Sequence, residues 1–293
     1  MLPRYRLSVK VLRKKFGYWY PGTDFREDIV RKYGRHIDNG DFLVISEKAI
    51  STALGHIYDE SRIDVDHLSE LMALAVDRVL WARLLKFVFK KRETIELLRN
   101  TPIQALAVHK KLALRIGGIK HFIKPLSEAG IDASNLPYKY VSLPLPSANS
   151  IARSTRLYIF KRLGKLVNVL IIDSDKTFRP RSLKNVAFAT RPSEVRGVVD
   201  LGGIAYLMGR AMPSLFTAFP TPVGYSGVWV GLPTILRIAK TCERYIGFGL
   251  GRNALEMLET LNKESFSEVG WCDMDRVYHY PAVVAKVRVA SIS

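Results

Sequence analysis

Residues Val167 to Asp175 read V-N-V-L-I-I-D-S-D, and this stretch does most to decide the fold. The apolar residues from Val167 to Ile172 are typical of a mostly buried strand. Asp173 and Asp175 follow that strand, and we expect them to lie in a turn because Asp and Ser are common turn residues. A buried strand that ends in two carboxylates is both a core element and a candidate site.

A second turn carries another acid about forty residues earlier. Residues Ala129 to Asn135 read A-G-I-D-A-S-N, with Asp132 at the centre. Carboxylates gathered from separate turns are the ligands that a hard cation such as Mg²⁺ or Mn²⁺ needs, and nearby basic side chains suit a phosphate. The alternative is ordinary loop chemistry, since Asp, Asn, Ser and Gly are the commonest turn residues.

The patterns on either side of these turns mix strands and helices. Helical spacing and capping residues predict helices over residues 24–33, 64–99, 150–164, 200–210 and 253–261. Alternating or short apolar runs predict strands over residues 5–12, 42–46, 103–108, 112–116, 121–124, 186–189 and 283–289. Because the order shows no regular β-α-β repetition, we predict an α+β fold, with mixed sheets and packed helices in a single domain over residues 1–293.

Composition narrows the protein class. The chain has 293 residues and is 48% hydrophobic. It contains two cysteines, Cys242 and Cys272. This low cysteine count excludes a disulfide scaffold and predicts a reducing, cytoplasmic location. Residues 211–236 carry no charge, but repeated prolines and glycines interrupt them. We therefore predict buried loop and strand there, with no membrane partner.

The net charge of +18 calls for an anionic partner. Nucleic acid, an anionic membrane surface and a phosphorylated small molecule all qualify. Basic residues are concentrated between Arg153 and Lys184. That stretch contains nine Lys or Arg residues and only two acidic residues, Asp173 and Asp175. This concentration favours a phosphorylated ligand near the two acids.

Six short blocks occur in an order that resembles one known family. They are Pro21–Phe25, Asp38–Ile45 with Glu47, Lys48 and Ser51, Ala129–Asn135, Leu143–Pro144, Asp175–Pro180 and Leu207–Ala211. The chain resembles the γ-glutamyl ligases that add glutamate to the deazaflavin coenzyme F-420. The resemblance spans about residues 17–227 and leaves residues 228–293 without a clear match.

That resemblance implies an α+β fold, an intertwined homodimer, and GTP with Mg²⁺ or Mn²⁺ at the site. The implied reaction joins glutamate, or a similar amino acid, to a carboxylate of a phosphorylated cofactor precursor. By motif position, Asp132 and either Asp173 or Asp175 would hold metal, and Asp132, Asp175 and Arg179 would be catalytic. The resemblance also places a set of side chains in the nucleotide or substrate pocket, namely Lys48, Ser51, Ser134, Asn135 and Ser174.

Two departures from the family pattern keep other hypotheses open. Phe178 stands where the family has a glycine, and the segment between Ala189 and Leu207 is shorter than the family's. A non-catalytic relative that binds a phosphorylated ligand is therefore the second hypothesis, and a basic nucleic-acid-binding protein is the third. Gly247–Gly251 resembles a phosphate loop but lacks the lysine that follows a P-loop, so we expect a turn there.

Overall fold

The computed structural model describes residues 4–84, 99, 101–122, 124, 130–276 and 278–292. It confirms the predicted mixture of strands and helices. The strands are β1 (Arg4–Arg13), β2 (Phe42–Ser46), β3 (Ile57–Asp59), β4 (Tyr140–Ser142), β5 (Asn168–Pro180), β6 (Ala187–Ala189), β7 (Val198–Asp200), β8 (Phe216–Ser226) and β9 (Ala282–Ile292). The helices are α1 (Phe25–Tyr33), α2 (Glu47–Ala53), α3 (His67–Ala73), α4 (Ile103–Gly117), α5 (Ile119–Phe122), α6 (Ala148–Leu163), α7 (Gly203–Ala211), α8 (Leu232–Ile246) and α9 (Ala254–Leu261).

One mixed sheet organises the described part of the chain. Its strands run in the order β1-β9-β2-β5-β6-β7, and β8 pairs with β5 as well. β2 and β5 are parallel, with Ser46 opposite Ile172, whereas β9 is antiparallel to both β1 and β2. The C-terminal strand, which lies beyond the recognised blocks, is thus built into the sheet between β1 and β2.

Both faces of the central strands are buried. Leu43 and Ile171 point into a core formed with α1 and α6, whereas Val44 and Leu170 point into a core formed with α8. Side chains alternate between the two faces of a strand, so a strand that is apolar at every position must be covered on both sides. This explains the unbroken apolar runs of β2 and β5.

The turn expected after Ile172 is wrong. β5 continues to Pro180, and its pairing with β8 jumps from Asp173, opposite Thr221, to Lys176, opposite Pro220. Ser174 and Asp175 are therefore extra residues in a bulge, which bends the strand and re-aims its side chains. The apolar pattern stops at Ile172 because the bulge lies at the edge of the core, although the strand itself goes on.

The strands expected over residues 103–108, 112–116 and 121–124 are also wrong, since helices α4 and α5 occupy residues 103–117 and 119–122. Lys110 lies between the first two expected strands, and it is buried inside α4. Its ammonium lies 3.2 Å from an oxygen of Asp77 and donates to the carbonyl of Phe122. Because this buried position holds a charged residue, the apolar residues of α4 do not show regular helical spacing. Of the helix predicted over residues 64–99, α3 and a wide π-type helix (Leu74–Leu84) are described, and most of the remainder lies outside the described residues.

No helix among the described residues is long and apolar enough to cross a bilayer. Most of the uncharged run of residues 211–236 forms β8 and the start of α8.

Candidate functional site

The site begins where the parallel pairing of β2 with β5 ends. Glu47 and Lys48 directly follow β2, and Asp173 directly follows Ile172, the last residue of β5 that pairs with β2. Because the two strands run in one direction, the residues that follow their paired segments meet on the same side of the sheet. The topology alone therefore brings these three charged side chains together.

A buried arginine occupies the point where these segments meet. The Nη1 atom of Arg191 lies 2.8 Å from Oδ2 of Asp173 and forms an ion pair with Oε2 of Glu47. Arg191 is fully buried. Gly130 packs against the guanidinium so closely that a Cβ there would lie 2.3 Å from Cζ of Arg191. The A-G-I-D-A-S-N turn thus needs its glycine to accommodate an arginine from a distant part of the chain.

The same turn contributes a second ion pair. Oδ2 of Asp132 lies 2.5 Å from Nζ of Lys48, which also donates to Oγ of Ser134. Oδ1 of Asp132 accepts a hydrogen bond from the backbone of Ser134 at 2.7 Å, which closes the turn. A third pair joins Nζ of Lys124 to Oδ2 of Asp175 at 2.7 Å.

Burial and neighbouring charges shift the acids in different directions. Burial raises the pKa of Glu47 to about 7, although Arg191 offsets part of the effect. Burial would also raise the pKa of Asp173, but the charge and hydrogen bond of Arg191, the backbone hydrogen bond from Asp175 and the charge of Lys48 together hold this pKa below its usual range. Burial raises the pKa of Asp175, with Lys124 acting in the opposite sense. At neutral pH Asp173 is thus ionised, and Glu47 is partly protonated.

A cleft of about 110 Å³ opens beside these ion pairs. Lys48, Ser134, Asp173 and Ser174 are polar residues of its lining. Of the 21 described residues that line the cleft, ten come from beyond residue 242. They are Glu243, Ile246, Gly247, Phe248, Gly249, Gly251, Arg252, His279, Tyr280 and Pro281.

Asn135 fastens this C-terminal wall to the turn that carries Asp132. Its side-chain Nδ2 donates to the carbonyls of Phe248 and Gly251, at 3.0 and 3.3 Å. Its backbone carbonyl accepts a hydrogen bond from the Tyr18 hydroxyl at 2.6 Å. Asn135 has a φ of 61°, a left-handed conformation that asparagine tolerates better than most residues.

The structure brings most of the predicted site residues together, but not all. Lys48, Ser134, Asn135, Asp173 and Ser174 line the cleft, and Asp132 reaches it through its ion pair with Lys48. The remaining three, Ser51, Asp175 and Arg179, are not among the lining residues that the structure describes.

Each of these three has another partner. Ser51 is buried and donates to the carbonyl of Leu143 at 2.8 Å. Asp175 turns toward Lys124 because of the bulge in β5. Arg179 lies over the ring of Phe219 at 5.5 Å, and because strand residues advance by about 3.3 Å each, it is far along β5 from Asp173.

The donor set does not fit a divalent ion as it stands. Within the described ranges, no group of three or more His, Cys, Asp or Glu side chains is placed to hold a metal. Asp132, Asp173 and Asp175 pair with Lys48, Arg191 and Lys124 respectively. Metal binding by these acids stays a prediction, and this arrangement argues against it.

Two parts of the site escaped the sequence analysis. Arg191 follows a short strand, and nothing in its neighbours indicates a buried ion pair. Gly247–Gly251 was interpreted as a turn, which is correct for the backbone, yet the loop also lines the cleft. The clue for the loop was its repeated glycines, because Gly247 and Gly249 both have positive φ.

Comparisons with known proteins agree with the recognised blocks. A model of the F420-0:Gamma-glutamyl ligase family matches residues 15–218. The chain is also 30% identical over 272 residues to an uncharacterized protein of Methanocaldococcus jannaschii, an alignment that covers 89% of each chain. The family match includes the turn with Asp132, both strands of the parallel pair and Arg191, whereas the C-terminal wall of the cleft lies beyond it. This chain belongs to the F420-0:gamma-glutamyl ligase family.

Proposed function

We propose that the protein is an amide-forming ligase that joins glutamate, or a similar amino acid, to a carboxylate of a phosphorylated cofactor precursor. Family membership supports the reaction class. The observation that carries the proposal is the position of Lys48, in the cleft and beside the acids of two family motifs. We further propose GTP as the nucleotide and a homodimer as the assembly.

The cleft offers suitable groups for a nucleotide and an anionic acceptor. Lys48 supplies a positive charge, and the hydroxyls of Ser134 and Ser174 are hydrogen-bond donors for phosphate oxygens. The rings of Tyr18 and Phe248 line the same cleft, and aromatic faces are surfaces on which a base stacks. These features fit a ligand that has both a planar ring system and a phosphate.

The proposed chemistry needs charge stabilisation more than a protein nucleophile. When bound, GTP would supply the phosphoryl group that activates the acceptor carboxylate, with GDP as the leaving group. The amine nitrogen of the amino acid then bonds to the acyl carbon, phosphate departs with the C–O electron pair, and the amine loses a proton. Lys48 is placed to offset the negative charge that develops on the transferred group.

A second candidate function is ligand binding without ligation. The neutralised carboxylates favour it, because each acid already has a cationic partner from the chain. Phe178 does not decide between the candidates. It is buried against Gly209 of α7 and is not among the lining residues described. The residue that replaces the family's glycine is therefore an ordinary buried residue of β5.

Nucleotide titration of matched lysine variants tests the proposal. We expect Lys48→Met to lose saturable GTP binding by calorimetry, because the cleft loses the cation that lies beside Asp132. Lys165→Met removes the same charge from a lysine that pairs with Asp38 and is not among the described lining residues, so it should bind GTP like the wild type. Equal affinities for the Lys48→Met variant and the wild type would refute the role of Lys48.

A further inference from the structure

Arg191 holds a position that a bridging cation would otherwise take. Its Nη1 atom contacts a carboxylate oxygen of Glu47 and one of Asp173, which come from the ends of two different strands. A metal ion that bridges carboxylates from separate segments makes the same pattern of contacts, at about 2.0–2.6 Å. Here a single guanidinium nitrogen makes them.

The charges around Arg191 leave little demand for a second cation. Four carboxylates, those of Glu47, Asp132, Asp173 and Asp175, face three cations, Lys48, Lys124 and Arg191. Glu47 and Asp173 share the single cation of Arg191, so these ion pairs leave one unit of negative charge in the cluster. A divalent ion added to this cluster would bring more positive charge than the acids can neutralise.

Arg191 also cannot move aside easily. It is fully buried, and Gly130 presses against its guanidinium. Lys48 differs, since about a fifth of its side chain is exposed and it borders the cleft. A ligand can therefore displace or recruit Lys48, whereas Arg191 is part of the packed interior.

We propose that the guanidinium of Arg191 replaces a divalent cation in this chain, so that the acids of the site are organised by an internal positive charge and not by a bound metal. This inference concerns the folded protein itself. It holds or fails independently of whether the protein forms an amide bond.

Metal binding and thermal stability of the wild type provide the first test. We expect protein stripped with EDTA to keep its Tm, and millimolar Mn²⁺ to cause no saturable loss of the free Mn²⁺ electron paramagnetic resonance signal. A stoichiometric binding of Mn²⁺ that raises the Tm, and that disappears in Asp173→Asn, would overturn the proposal.

Removal of the guanidinium provides the second test. We expect Arg191→Ala to lower the Tm, and Mn²⁺ to restore part of the loss because Glu47 and Asp173 then face each other without a cation. The matched control, Arg191→Lys, keeps the charge and should gain no Mn²⁺ response. If Arg191→Ala folds but Mn²⁺ neither binds nor stabilises it, the guanidinium does not hold a cation position and the proposal fails. If that variant does not fold, the wild-type measurement decides alone.

Discussion

Asn135 and Leu250 lie 115 positions apart in sequence, yet the side-chain Oδ1 of Asn135 accepts a hydrogen bond from the backbone nitrogen of Leu250 at 2.5 Å. Asn135 lies within the family match and Leu250 lies beyond it. This bond and its two companions from Nδ2 join the recognised motif to the wall of the cleft that the motif does not include. The C-terminal segment is therefore part of the site in this chain.

Replacement of Asn135 by alanine should detach that wall. Asn135→Ala removes the three side-chain hydrogen bonds to the loop and leaves a residue in the left-handed region without its amide, which we expect to cost about 2 kcal/mol of unfolding free energy. Hydrogen exchange should become faster in residues 247–252, as measured by mass spectrometry. Asn185→Ala, at an exposed position, is the control and should leave exchange in the loop unchanged. Unaltered protection of the loop in Asn135→Ala would mean that other contacts hold it.

Two glycines of the loop form a matched pair. Gly247 and Gly249 have φ values of 71° and 62°, so alanine is strained at both by about 1 kcal/mol. A Cβ at Gly249 would lie 2.3 Å from Oδ1 of Asn135, whereas nothing lies within 4 Å of a Cβ at Gly247. We expect Gly249→Ala to be the more destabilising variant in urea unfolding. Equal costs for the two variants would show that the Asn135 contact is not tight.

Gly209 and Phe178 should prove energetically coupled. A Cβ at Gly209 would lie 2.1 Å from Cδ1 of the buried Phe178 ring, so Gly209→Ala overpacks the contact between α7 and β5. We expect Gly209→Ala to lower the unfolding free energy by about 1–3 kcal/mol. In the double variant with Phe178→Leu, the smaller side chain should restore part of this loss. A double-mutant cycle measures this coupling. Additive costs would contradict the close packing.

Stability should depend on His279 in mildly acidic solution. Burial lowers the pKa of His279, and the carbonyl of Met274 offsets only part of the effect. The unfolded chain, with a histidine pKa of about 6.5, therefore binds a proton more readily than the folded protein. This residue's contribution is thus lost as the pH falls below that value and regained as the pH rises. His279→Gln should flatten this part of the profile of unfolding free energy against pH, and an unchanged slope would contradict the assignment.

The fold was predictable where local patterns act alone. Residues Phe42–Ser46 have an apolar run between turn signals, and Asp24 caps α1 by accepting from the backbones of Arg26 and Glu27, as a sequence reading expects. α4 was missed because Lys110 interrupts its apolar face. The ion pair between Lys110 and Asp77 that makes its burial tolerable depends on tertiary structure, which no local pattern reveals.

The site was predictable only where one segment contains its own signal. Lys48, Asp132, Ser134 and Asn135 lie in recognisable blocks, and Asp173 follows a recognisable apolar run. The structure places all five around one cleft. Arg191 has no such block. Its role depends on three segments that converge from elsewhere in the chain, so this role can be recognised only in the folded structure.

The most direct test of the proposed ligase is product formation. Purified protein would be mixed with the precursor F420-0, L-glutamate and GTP, with and without added Mn²⁺. The products would then be identified by mass spectrometry. Formation of a γ-glutamyl amide that requires GTP and is lost in Lys48→Met, but not in Lys165→Met, is the predicted result. Saturable binding of GTP and F420-0 with no amide product under either metal condition would contradict the ligase assignment and leave ligand binding as the function.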